Sequence, residues 1–153
     1  MSILNFLFGK KKIIIHPIIG EIISDRIKGN NQTKSYTWLG SITLNNQPEK
    51  TTIIMEGHAS GPLSAHLSFI SQLIENWENK FLPIIEQIII EKGIDKTEKY
   101  SNWKNEFYVG AVVPTNSKKS EFELTFEPFN SENSNFICIE FKNSTIINVQ
   151  TFE

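Results

Sequence analysis

The stretch MEGHASGPLSAH, residues 55–66, gathers the residue types that do chemistry: two histidines, two glycines and a serine between them. Three chemistries are conceivable, and spacing decides among them. A nucleophile elbow requires G-x-S-x-G, with the serine at the apex of a strained strand-to-helix turn. Here Ser60 falls one residue late, after Gly57-His58-Ala59. A phosphate cradle requires the lysine that follows the second glycine of G-x-x-x-x-G-K-[ST], and no lysine lies between Lys50 and Lys80. A metal site on a helix wants ligands three or four apart. His58 and His66 are eight apart, and His16 is distant. No residue is therefore assigned a catalytic, cofactor-binding or metal-ligating role. The plain expectation is a helix start. Gly57 ends a strand, Ser60 caps the helix, Pro62 occupies its first turn, and His66 faces solvent or the sheet edge.

The elements around this junction read as follows. PIIGEIISDRI (17–27) predicts a strand bent or bulged at its glycine, and His16 before Pro17 orders the first turn. SYTWLGSITL (35–44) alternates, with Tyr36, Trp38, Ile42 and Leu44 on one face. NNQPE is a hairpin turn, and TTIIMEG (51–57) is its partner strand. Leu63, Leu67, Ile70, Ile74, Trp77 and Phe81 then form a helical stripe. Pro83 predicts a kink or break, and Gly93 the C-terminal cap. Residues 95–106 read as a polar linker containing Tyr100 and Trp103. Four strands follow: 107–113, central and apolar on both faces, then 121–127, 136–141 and 145–152. In the second of these Phe122, Leu124 and Phe126 alternate with Glu121, Glu123, Thr125 and Glu127. The expected fold is α+β: an antiparallel meandering sheet with one long, proline-interrupted amphipathic helix packed on a face.

Composition bounds the rest. A chain of 153 residues, 39% hydrophobic and 21% charged, is expected to fold as a single globular domain. The net charge of −2 argues against a nucleic-acid binder. Six basic residues stand against two acidic ones in 1–34, whereas 35–153 is net acidic, so residues 1–12 read as a short apolar-basic arm on an acidic body. That arm either docks on its own domain or touches a membrane surface. Its lysines follow the apolar residues, unlike a signal peptide, and no run is long enough to span a bilayer. Cys138, in FICIEF, reads as a buried core thiol.

What remains is surface. Glu121, Glu123, Glu127 and Glu140 line one sheet face, either solvated or forming an acidic patch for a basic partner. Tyr100 and Trp103 either tuck into the core or, if exposed, anchor an interface. These six are the candidate partner-binding residues.

The order FLFGKKK, HPIIGEI, a strand with Trp38-x-Gly40, then Gly-Pro opening an amphipathic helix, resembles small bacterial domains of unknown function. Several of these are immunity proteins found beside secreted toxins. The resemblance covers about the first 90 residues. It implies a cytoplasmic, non-enzymatic protein that binds a cognate toxin and occludes its active surface, with no cofactor. The alternatives are a small enzyme using the Gly57–Ser60 turn, and an adaptor whose basic arm touches membrane.

Overall fold

A computed structural model describes residues 7–29, 32–45, 47–116 and 120–153. The fold is α+β, with a mostly antiparallel nine-stranded sheet and few helices. The strands are β1 (Ile13–His16), β2 (Gly20–Ser24), β3 (Tyr36–Ile42), β4 (Thr51–His58), β5 (Gly61–Pro62), β6 (Phe107–Asn116), β7 (Glu121–Pro128), β8 (Phe136–Lys142) and β9 (Thr145–Phe152). They lie side by side in the order β1-β2-β3-β4-β6-β7-β8-β9, with the two-residue β5 paired to β4. The meander is broken once. β4 and β6 run parallel through Thr52–Ala111 and Ile53–Val112, because the helical segment between them carries the chain back to the same end of the sheet.

One face of the sheet is covered by that segment. It comprises α1 (Ser64–Glu75), a π-helical turn (Trp77–Phe81) and α2 (Leu82–Glu91). The expected single long helix is therefore two helices of 12 and 10 residues. The interruption precedes Pro83 instead of falling on it. Pro83 sits in the first turn of α2, where its missing N–H is harmless. The wider turn forms upstream, where the Phe81 N–H reaches back five residues to the Asn76 carbonyl at 3.2 Å. α2 ends as expected, with Gly93 in the left-handed region at φ 67°.

The covered face follows the predicted alternation. Trp38, Ile53, Val112, Phe122, Leu124, Ile139 and Phe141 are fully buried. The helices return Phe69, Ile70, Leu73, Trp77, Phe81, Ile85 and Ile89 to them. Phe69 stacks on Phe122 with ring centroids 4.4 Å apart, and Phe81 packs against Phe141 at 5.6 Å. Each such aromatic side chain contributes on the order of 2–3 kcal/mol through area removed from water.

Two local expectations are corrected. Residues 17–27 are not one strand: β1 and β2 form a hairpin around a turn at 17–19. In that turn His16 Nδ1 accepts the Ile18 and Ile19 N–H groups, each at 3.3 Å. Residues 95–106 are not a linker but two 3-10 turns (Ile94–Lys96, Glu98–Tyr100) and a one-turn helix, α3 (Trp103–Glu106). Their aromatics anchor them in the core. The N-terminal arm lies partly outside the described residues, which begin at Leu7. Its lysine stretch is attached to the domain: Lys10 bridges Ile27, and the Lys12 ammonium donates to the Ala59 carbonyl at 2.6 Å. Among the described residues no helix is long and apolar enough to cross a membrane.

Candidate docking face

The junction that looks most chemical is structural. After β4 the chain turns back at Ala59–Ser60 and pairs Gly57 with Pro62 and His58 with Gly61. A side chain at Gly57 would collide with the Gly61 carbonyl and Pro62, so this tight hairpin needs glycine there. The hairpin displaces the helix start. Ser60 does not cap it and Pro62 is not in its first turn. The helix begins after Leu63, which has extended backbone and supplies no side-chain cap.

His66 is fully buried, not at the solvent or sheet edge. Its Nδ1 accepts the Glu56 N–H at 3.1 Å, and the Leu63 N–H reaches the Glu56 carbonyl at 2.8 Å. β6 pairs with β4 only at Thr52 and Ile53, and the helix start takes over the backbone groups of Glu56 beyond that point. The ring meets Phe122 edge-on at 4.9 Å, and among the described residues its buried Nε2 has no partner in hydrogen-bonding geometry. Burial holds the imidazole pKa below its ordinary value, opposed by the Asn116 backbone. His58 is turned elsewhere, its Nδ1 3.4 Å from the Lys34 carbonyl. Ser60 is exposed. Among the described residues no three His, Cys, Asp or Glu side chains gather as metal ligands.

The other face of the sheet is not covered by α1 or α2, and cross-strand register assigns its residues. Opposed pairs share a face, so Glu123 and Glu140 stand directly opposite one another, beside Glu121–Lys142 and Thr125–Cys138. Tyr108 opposes Glu127. The four predicted glutamates are thus brought together on one face. Lys142 pairs with Glu121 at 3.7 Å, whereas Glu123, Glu127 and Glu140 have no ion pair among the described residues. Like charges in direct opposition are destabilising in an isolated sheet. Only neutral groups mitigate this pair, Asn148 donating to Glu140 at 3.2 Å and Thr125 to Glu123 at 3.4 Å.

Tyr100 and Trp103 do not join this face. They are 3% and 5% exposed, Trp103 edge-on to Phe126 and Tyr100 donating to the Phe152 carbonyl at 2.9 Å. Of the two places open to them, they occupy the core. Cys138 is corrected the other way. It is a half-buried residue of the open face, its thiol pushed up to about 11 by burial and then by the charge of Glu123.

The register also reveals what sequence reading missed. Ile13, Ile15, Ile23, Leu39 and Ile54 continue the open face through β1–β4. Ile13, Ile15 and Leu39 are 60%, 71% and 43% exposed. The available signal was the punctuation of IIIHPIIGEII by Pro17 and Gly20, which marks a hairpin and sets which isoleucines point outward. The open face is therefore aliphatic at one end and acidic at the other.

No protein-family model, curated protein or solved structure matches the chain.

Proposed function

We propose that this chain is a binding protein that takes a basic partner protein on the open face of its sheet, and that the partner is a cognate bacterial toxin whose active surface it occludes. The carrying observation is the aliphatic half of that face. An antiparallel sheet with one solvated face normally alternates apolar-in, polar-out. Here Ile13, Ile15 and Leu39 point out and are exposed. Ile13, Ile23 and Leu39 follow one another across the strands, with Ile15 opposite Glu21, and exposed apolar residues grouped on one face mark interaction sites.

The acidic half supplies the sign of the partner. Glu123 opposing Glu140 is unfavourable for the chain alone, and a cationic surface laid across the pair relieves it. The same charges repel anionic lipid headgroups, which favours a protein partner over a membrane. The division of labour follows from range. The carboxylates steer the encounter, and the desolvated aliphatic residues hold the complex.

The experiment is survival. Cells expressing a candidate cognate toxin are expected to live when the wild type is co-expressed. They are expected to die when the chain carries Ile15→Asp together with Leu39→Asp. In binding kinetics that double variant raises the dissociation rate. Reversing Glu121, Glu123 and Glu127 to Lys slows association and flattens its salt dependence. Absence of protection by soluble wild-type chain overturns the reading.

A further inference from the structure

A pocket of about 300 Å³ opens where the acidic end of the open face meets the loop after β7. Its walls are Tyr108, Phe129 and Phe136, and its charged groups are Glu49 and Glu127. Its origin is a pair of side-chain contacts to one backbone residue. Thr51 Oγ1 donates to the Val109 carbonyl at 2.6 Å, and Gln47 Oε1 accepts the Val109 N–H at 3.1 Å. With Val109 held by these side chains, the β6–β7 register slips between Val109 and Ala111, leaving Gly110 as a bulge. The Glu127 carboxylate lies directly on Gly110, in the space a Cβ would fill. The Tyr108 hydroxyl donates to its Oε2 at 3.3 Å. Phe129, 40% exposed, stacks on Tyr108 with centroids 5.1 Å apart and planes within 22°.

We infer that this pocket takes an arginine side chain of the docked partner, a reading that rests on the docking function proposed above. The volume is at the small end for ligand sites and suits one side chain more than a cofactor. Two carboxylates face it, and neither Glu49 nor Glu127 has an ion pair among the described residues. A carboxylate offers about four acceptor positions, of which the Tyr108 hydroxyl uses one in Glu127. Both charges converge on the phenol: the Tyr108 pKa is raised by burial first, then by Glu127, and also by Glu49. The aromatic walls choose between cations. A guanidinium is planar, stacks on rings, forks onto a carboxylate and is weakly hydrated. A lysine ammonium is a strongly hydrated point charge that gives up more on entering such a site.

The test titrates the full chain, ¹⁵N-labelled, with N-acetyl-arginine methylamide and separately with the lysine analogue. Saturable shifts are expected at Tyr108, Gly110, Phe129 and Asn133, with the lysine analogue binding roughly 10-fold more weakly. Glu127→Gln and Phe129→Ala are each expected to weaken arginine binding by about 10-fold or more. Gly110→Ala keeps every charge but evicts the Glu127 carboxylate from its seat, and is expected to weaken binding similarly. Thermal melts establish that each variant is folded, and any one folded variant suffices. Equal shifts for both analogues, or shifts spread across Glu121, Glu123 and Glu140, overturn the pocket. The docking reading is judged apart from it. Protection from toxin that persists in a folded Phe129→Ala chain overturns the pocket and leaves docking standing. Loss of protection confined to Ile15→Asp with Leu39→Asp has the same meaning.

Discussion

The two faces of this sheet are built from the same strands, residue by residue in alternation, and they obey different rules. On the covered face Phe122, Leu124 and Phe126 meet the helices with almost no exposed surface. On the open face the intervening Glu121, Glu123 and Glu127 are half-buried and mostly unpaired, and further along Ile15 and Leu39 stand in solvent. The first face is complete within the chain; the second is not. Stability is therefore concentrated on one side of each strand, and the docking proposed above is assigned to the other.

The largest effect that separates the faces is a cavity. Phe122→Ala is expected to cost about 3–5 kcal/mol in denaturant unfolding, because it removes a ring stacked on Phe69 and edge-on to His66. A loss near that of its open-face neighbours would break the comparison. Next is His66→Leu, which deprives the Glu56 N–H of its acceptor and is expected to cost about 1–3 kcal/mol at neutral pH.

The same histidine ties the covered face to pH. Its pKa is lowered by burial in the folded chain, so the unfolded chain binds the proton more readily. Stability is fully present above about 6.5, the ordinary histidine value, and is lost as pH falls from there through the lowered native value. Melting temperature is expected to decline over that window in the wild type. The histidine's share of the decline should be missing in His66→Leu. An unchanged slope would refute the assignment.

On the open face the expected effects are smaller. Cys138, its thiol at about 11, is expected to react with iodoacetamide more slowly than free cysteine near neutral pH. Glu123→Gln should speed it, since that carboxylate adds to the effect of burial. Glu123→Ala is expected to shift unfolding stability by no more than about 0.5 kcal/mol. A loss comparable to Phe122→Ala would mean that the register is misassigned.

In the stretch richest in chemical side chains, the roles expected of Ser60, Pro62 and His66 in a helix start were the ones the fold changed. MEGHASGPLSAH contains histidines, serines and glycines, yet Gly57 allows a tight hairpin and His66 accepts a backbone N–H. Conversely, FYVGAVV reads as plain strand, while its glycine seats the Glu127 carboxylate.

Alternation was enough to place the strand side of the covered face: a two-residue period in 121–127 is a property of the chain itself. The placing of Glu121, Glu123 and Glu127 on one face was legible for the same reason, whereas Glu140 joins them through cross-strand register. The helical stripe was placed only in part. Ile70, Trp77 and Phe81 are buried, but Leu63, Leu67 and Ile74 are half-buried, and His66, Phe69 and Leu73 take core positions instead. Four features required the tertiary structure. The burial of His66 depends on where β6 stops pairing with β4. Tyr100 and Trp103 lie in the core because 3-10 turns fold a polar segment inward. The aliphatic end of the open face depends on a hairpin that sets Ile13 opposite Ile23 and on the next pairing, which sets Ile23 opposite Leu39. The pocket at Tyr108 depends on a bulge set by side chains at Gln47 and Thr51, some 60 residues earlier. Period is a local quantity, written in neighbouring residues. Register, the end of a pairing and the seat of a bulge are contacts between distant ones, and no window along the chain contains both partners.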